Sequence, residues 1–457
     1  MGSHALDLIT IGNNFGTAEM RALWDDKARI QKQLDTEAAL SQAEGQLGII
    51  PLDAAAKIKE AANVGLYDIE DIAAESARLR HSLMGTINAL ERQSGEAGEF
   101  VHFGATTQDI VDTGMMLQLR DAYDIIERDV AIVLDLLAKL AKNHQDTVMI
   151  GRTHGMHALP TTFGFKVAVW VDEFIRHAER LKESRDRIFV GNMNGAVGTY
   201  ASFGPKGSQL EAATMDILGL NTPNIGWQSA RDRFSEFGNI AALISGTAGK
   251  IGNEFYNLMR TDIGEIEEPF SKGEIGSSTM PHKRNPALFE GLASLTPPVL
   301  KSVALLHESM GTEHERDAMH WRQEWVALPE IAIYLSGQLN TLKNVLDGLT
   351  VREDRMQANL NRQAGLIMSE KVMFELSDSL GKQTAHAKVY SLAMQSFEEG
   401  LDFGDVLKDD AEISANHQPE EIDQWLDPSA YTGLAHEKVD QVLAAYQVFK
   451  AGLADGK

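Results

Sequence analysis

The sequence predicts an all-α protein built around several unusually long helices, and three observations lead there. Apolar residues recur at three-four spacing over stretches of about thirty residues, the signature of buried helix faces. No strand-rich region, internal repeat or low-complexity tract interrupts them. A hydrophobic content of 43% with 24% charged residues is that of a soluble globular chain, and 457 residues exceed one ordinary core, so two or three domains are expected.

Ala18 to Leu47 reads as helix, with Met20, Leu23, Trp24, Ile30, Leu34, Ala38, Leu40 and Ala43 at approximate three-four spacing before Gly48 and Pro51. Further runs cover about Ala54 to Ala62 and Ile72 to Arg92, ending at the glycine-bearing Ser94 to Gly98. The middle of the chain carries the longest stripes. Gly114 to Asn143 spans ~45 Å as a helix, Pro160 opens another run through Leu181, and Ala230 to Arg260 places Phe234, Phe237, Ile240, Ile244, Ile251 and Phe255 at near-heptad spacing. Pro286 starts a helix that Pro297-Pro298 interrupts or kinks, and another run follows from Pro329 to Leu349. From about Asp354, short helical patterns alternate with acidic loops. Helices this long need their apolar faces covered by other subunits, so an oligomer is expected.

Charge and composition exclude several functions. A net charge of −24, from 42 basic and 66 acidic residues, disfavours nonspecific nucleic-acid or anionic-membrane binding. There is no cysteine, hence no disulfide, thiolate nucleophile or cysteine-ligated metal. Met1-Gly2-Ser3-His4 is not followed by the basic end and apolar run of a secretory signal, and no segment has the apolar length of a membrane span, so a cytoplasmic protein is expected.

Three polar stretches carry the chemistry. Ser271 to Pro286 crowds glycines, adjacent serines, prolines and the cations Lys283 and Arg284 into a loop able to hold a carboxylate and to favour an ionised hydroxyl; a solvated basic turn is the alternative. Val101 to Thr113 offers the hydroxyls and amide of Thr106, Thr107 and Gln108 at a helix start, suited either to a carboxylate or to plain helix capping. Gly151 to Thr162 contains His154 and His157. No carboxylate or third histidine completes a ligand spacing, so neither metal nor cofactor is expected.

Gly276 to Pro286, read as GSSTMPHKRNP, resembles the signature loop of the fumarase/aspartase superfamily, lyases that eliminate across a succinate-like skeleton to release fumarate. The resemblance extends over almost the whole chain. It implies a three-domain fold, with an N-terminal helical domain at 1–110, a long-helix domain at 111–355 and a C-terminal helical domain at 356–457. It also implies a homotetramer whose central helices form one bundle and whose active sites combine motifs from three subunits around a dicarboxylate.

Site roles follow by the same resemblance. Ser277 is the general base and His154, as in adenylosuccinate lyase, the acid, with Glu290 supporting it. His81 is an additional active-site histidine. Thr106, Thr107, Gln108, Thr153, Lys283, Asn285 and Arg316 bind substrate, and Lys166 is either a further ligand or structural. The sequence points to two families. Arg152-Thr153-His154-Gly155 and Pro160 to Gly164 are similar to adenylosuccinate lyase. Gly16 to Leu23, Glu313 to Asp317 with Trp321, Glu324, Trp325 and Leu328 to Glu330, and Leu426 to Tyr431 are similar to bacterial 3-carboxy-cis,cis-muconate cycloisomerase.

Where adenylosuccinate lyases hold the nucleotide phosphate, this chain has Trp321 and Trp325, and Asn14 and Phe15. Losing those charge-assisted contacts argues against a nucleotide, although Arg316 is retained and Arg322 could compensate. His154 argues against lactonisation. The expectation is a fumarate-releasing carbon–nitrogen lyase acting on an N-substituted aspartate or related succinyl compound. The alternatives are carboxymuconate cycloisomerisation and a catalytically silent structural member.

Overall fold

Helices account for nearly all regular structure, and the strands form just two short antiparallel ribbons among the described residues. The computed structural model describes residues 4–271, 273 and 275–454; Lys272 and Glu274 of the signature stretch and Met1 to Ser3 lie outside them. In chain order the helices begin with α1 Ala18–Leu23, α2 Asp26–Gln46, α3 Leu52–Ala61, α4 Ile69–Leu79, α5 Met84–Ser94 and α6 Thr107–Asn143. The hairpin β1 Val148–Thr153 and β2 Met156–Thr162 precedes α7 Phe163–Ile188, α8 Gly207–Leu218 and α9 Asp232–Met259. Then come β3 Ile266–Glu267, α10 Ala287–Ser294, α11 Thr296–Ser309, α12 Ala318–Gly348 and β4 Thr350–Val351. The chain closes with α13 Glu353–Leu360, α14 Ser369–Leu380, α15 Lys382–Glu399, α16 Phe403–Asp409, α17 Ala411–Ser414, α18 Pro419–Trp425 and α19 Ala435–Ala454. No helix among the described residues is long and apolar enough to cross a membrane.

The long helices form where the apolar stripes predict them, and α6 reaches 37 residues, about 55 Å. Four expectations are corrected. The helix expected over 18–47 breaks at Trp24, because the Asp25 carboxylate accepts the Ala28 N–H at 2.8 Å and starts α2 afresh. The helix expected over 72–92 is two helices, parted where Arg80 takes a positive φ of 54°. The run expected from Pro160 begins at Phe163, since Pro160 ends up inside β2. The helix expected from Pro329 starts eleven residues earlier at Ala318, leaving Pro329 inside α12, because buried bonds of Trp321 and Glu324 hold the first turns despite the proline. Pro297 and Pro298 occupy the first turn of α11, where their missing N–H groups cost nothing.

The chain divides into two compact units. The first takes residues up to Ala131, His177–Gly249 and Ser294–Thr341. Its core includes Tyr123, Ile126, Phe234, Phe237, Leu328 and Leu335, all buried. Tyr123 meets Phe189 edge-on at 5.1 Å and donates its hydroxyl to the Leu181 carbonyl at 2.8 Å, so a large ring is buried with its polar tip satisfied.

The second unit takes Ile132–Arg176, Lys250–Ala293 and everything after Thr341. Phe255 packs between Trp170 and Phe289, each at 5.4 Å. A separate cluster of Val372, Leu376, Leu392, Phe403, Leu407 and Trp425 forms the core of its C-terminal helices. At Gly164 a Cβ would lie 2.6 Å from the carbonyls of Ala141 and His144, so only glycine lets α7 start so close to the end of α6.

Candidate active site

His154 stands at the tip of the β1–β2 hairpin. Thr153 pairs with Met156, which leaves His154 and Gly155 as a two-residue turn. Both have positive φ, 52° and 79°, as the turn that matches strand twist requires. Histidine in that region carries strain of about 1 kcal/mol or more, and the tip is exposed. The register slips between Ile150 and Arg152, so Ala158 and Leu159 both oppose Gly151. Beyond that bulge Arg152 grips the fully buried Glu265 carboxylate with both terminal nitrogens, at 2.7 and 2.9 Å. His154 itself has no hydrogen-bond or ion-pair partner among the described residues, nor has the Glu290 carboxylate, which is exposed in the first turn of α10. Lys166 is held by Glu254 at 2.6 Å, the structural role rather than a free cation, and lines with Thr153, Leu159 and Trp170 a groove of about 530 Å³.

The signature loop belongs to the same unit. Ser277 Oγ accepts the backbone N–H groups of Thr279 at 3.4 Å and Met280 at 3.2 Å, two donors that favour an anionic oxygen. Lys283 is exposed and Asn285 half-buried. The loop's root is clasped. Glu268 Oε2 accepts the N–H groups of Leu288 at 3.0 Å and Phe289 at 3.4 Å, and Arg284 lies over the Phe270 ring at 4.5 Å and 3.8 Å from Glu267. Burial, then the N–H bonds acting against it and repulsion from Glu290 acting with it, leave the Glu268 carboxyl above its ordinary range.

The first unit gathers the other candidates at the start of α6. His81 Nδ1 accepts from Leu83 N at 3.3 Å and Met84 N at 3.2 Å, so its proton sits on Nε2, which faces Thr107 Oγ1 at 3.4 Å. Arg316 donates to Thr106 Oγ1 at 2.9 Å. Gln108 is buried and spends its amide hydrogens on Asp112 and the Gln228 carbonyl, both at 3.0 Å, leaving none for a ligand and its own oxygen without a partner. Behind it, Asp109 accepts from Thr106, Asn194 and Gly195 amides at 3.0 to 3.2 Å; burial pushes its carboxyl up to about 7 against those bonds. Asp112 meets the buried Arg231 at 2.7 and 3.1 Å, Arg231 meets Glu324 at 2.7 and 2.5 Å, and Trp321 donates to Asp112 at 2.8 Å while stacking edge-on with Trp325.

The structure thus brings His81, Thr106, Thr107, Gln108 and Arg316 together in one unit, and places Thr153, His154, Ser277, Lys283, Asn285 and Glu290 in the other. Asn14 is exposed and Phe15 half-buried. Sequence reasoning missed the supporting charges Glu265, Asp112 and Arg231. It also missed a backbone signal. Of the six non-glycine residues with positive φ among the described residues, Arg80, His102, His154 and His314 all sit on the loops carrying candidate residues. A cavity of about 690 Å³ between the N-terminal segment and Val326 to Ile333 holds none of the candidates. No group of three or more histidines and carboxylates among the described residues could hold a metal ion.

A family model described as Lyase matches residues 14–299, and one described as Adenylosuccinate lyase C-terminus matches residues 365–442. The chain is 65% identical to N-acetyl-S-(2-succino)cysteine lyase of Enterococcus italicus, covering 100% of both proteins. It is 60% identical to the enzyme of that name from Dickeya dadantii, over 97% of this chain and 98% of the relative. Its backbone matches the crystal structure of 3-carboxy-cis,cis-muconate lactonizing enzyme from Pseudomonas putida with a TM-score of 0.91 at 36% identity, over 96% of this chain and 98% of that one.

Proposed function

Since this chain belongs to the fumarase/aspartase superfamily of lyases, we propose that it releases fumarate from an S-(2-succinyl) thiol, with N-acetyl-S-(2-succino)cysteine as the substrate. The observation that carries this reading is whole-length similarity to two lyases of that name. The sequence points to an N-substituted aspartate or a related succinyl compound; this reading takes sulfur, rather than nitrogen, as the leaving atom. The Trp321–Trp325 pair supports a small, weakly charged leaving group over a nucleotide phosphate.

In this reading Ser277 Oγ, ionised with help from the Thr279 and Met280 amides and Lys283, takes the proton from the carbon next to one carboxylate. The electron pair left behind is held as an aci-carboxylate by Lys283, Asn285, Thr106 and Thr107. It then forms the double bond of fumarate as the carbon–sulfur bond breaks. The sulfur leaves with that bond's electrons and takes a proton from His154. A cysteine-like thiol has a pKa of about 8.5, so its thiolate leaves more readily than an unprotonated amine and asks less of the acid.

The proposal includes a homotetramer in which His154, Ser277 and the Thr106–Thr107 pair of three different chains form each site, with the chain divided at about residues 110 and 355. Support comes from the unpaired His154 and Glu290 within one chain and from exposed apolar side chains on the long helices, among them Val169 and Leu243. Cycloisomerisation is the second reading, favoured by the likeness to the lactonizing enzyme. Purified protein given N-acetyl-S-(2-succino)cysteine, adenylosuccinate and 3-carboxy-cis,cis-muconate in parallel, with kcat/KM read for each, tests the assignment. The succinylated thiol is expected to be preferred at least about a hundredfold, nearly 3 kcal/mol of discrimination. Preference for the muconate overturns it.

A further inference from the structure

The hairpin that carries His154 and the loop that carries Ser277 share one buried anchor. Glu265 lies just ahead of β3, six residues before Ser271 begins the loop, and its side chain has no solvent exposure. Arg152, one residue before Thr153 and two before His154, meets both of its oxygens. Asn359 adds a third bond to Glu265 Oε1 at 2.8 Å and uses its other hydrogen on the Ile263 carbonyl at 3.0 Å. The main chain of Glu265 is fixed on both sides, its N–H donating to Leu258 O at 2.8 Å and its carbonyl accepting from Arg352 N at 2.9 Å. Directly downstream, Ile266 and Glu267 pair with Val351 and Thr350, and Glu267 takes Arg352 at 2.6 Å.

A buried ion pair gains little net stability, because stripping two charges of water offsets their attraction; what a forked pair fixes well is geometry. A packed apolar pair would serve stability equally. Here the fork joins a hairpin with a strained tip to the root of a glycine-rich loop. We infer that Glu265 and Arg152 are positioning residues for the elimination, holding in one frame the His154 hairpin and the Ser277 loop, which serve two different sites of the proposed tetramer. This rests on the reading of His154 and Ser277 as acid and base. The groups these two elements carry, His154 and Ser277 for proton transfer and Lys283 and Asn285 for the aci-carboxylate, act in the transition state, so the pair governs turnover.

The test compares Glu265→Gln, Arg152→Lys and the double variant with the wild-type protein. Each single variant is expected to lower kcat about 10-fold to 100-fold with KM within about threefold, and to shift the pH dependence of kcat relative to the wild-type protein. The double variant is expected to be no worse than the poorer single one, since both break the same pair. Hydrogen–deuterium exchange of peptides covering 148–162 and 265–290 is read in parallel, and both are expected to lose protection together in Glu265→Gln. That readout needs no substrate, so joint deprotection with no activity in the wild-type protein would sink the functional reading and spare the shared frame. Loss of protection in one peptide alone, or folded variants with wild-type kcat and pH profile, overturns the inference.

Discussion

His81 presents its Nε2 to Thr107 Oγ1 at 3.4 Å because its other nitrogen is occupied by the amides that open α5. One ring thereby caps the start of a helix and fixes a polar hydrogen beside the proposed carboxylate site. Asparagine at this position can imitate Nδ1 as the helix cap but reaches no further. His81→Asn is expected to keep the melting temperature within a few degrees and to lose about tenfold or more in kcat/KM. His81→Ala is expected to lose the cap as well, about 1 kcal/mol. Thermal melts and steady-state kinetics on the two variants separate the tasks, and equal kinetics for His81→Asn and wild type would remove His81 from the site.

Ser277 accepts two amides, and a methyl group in its place leaves them facing the ligand without a base. Ser277→Ala is expected to reduce turnover by about 10²-fold to 10⁴-fold while fumarate still binds. Single-turnover kinetics together with calorimetric titration of fumarate check both halves. Retained turnover would move the base elsewhere.

Stability is expected to decline on the alkaline side. Glu44 is fully buried with neither oxygen partnered, and burial, then repulsion from Glu37, pushes its carboxyl up to about 9. His102 is paired with Glu37 at 2.7 Å; burial opposes its charge, but Glu37 outweighs that and raises its pKa. Both folded-state values are raised. Their contributions are therefore complete below the unfolded values, near 4.5 for Glu44 and 6.5 for His102, and are lost as pH rises through the folded ones. Thermal melts from pH 5 to 9 are expected to fall with pH in the wild-type protein and to fall less steeply in Glu44→Gln. Identical slopes would contradict this.

Arg231 neutralises Asp112 and Glu324 in a site without water access. Burial lowers and its two partners raise the guanidinium's pKa, and the partners prevail. Arg231→Met leaves two buried carboxylates facing each other and is expected to cost about 3–5 kcal/mol. Denaturant unfolding measures the loss, and a shift below 1 kcal/mol would mean that the carboxylates share a proton instead.

Much of this architecture is legible in the sequence where one physical signal acts alone. Apolar periodicity marks α6 and α9, because a buried helix face must repeat. The signature loop is legible because its glycines, prolines and cations suit no regular element. The breaks at Trp24 and Arg80 are hidden, since Asp25 and His81 act through capping bonds rather than through glycine or proline. The β1–β2 hairpin is hidden too, as its turn is His154-Gly155 rather than the usual Asn-Gly. The supports of the site are the least legible. Arg152 finds Glu265 113 positions away and Asp112 finds Arg231 119 away, and no local pattern announces such a pair.

That chemistry from different chains converges on one dicarboxylate is tested most directly by complementation. Ser277→Ala and His154→Ala proteins, each inactive, are mixed in equal amounts, dissociated and reassembled, with mixed tetramers verified by native mass spectrometry. If each site draws these two residues from different chains, about a quarter of the sites regain both and fumarate release returns to about that fraction of wild type. Verified mixed tetramers that remain inactive would contradict it.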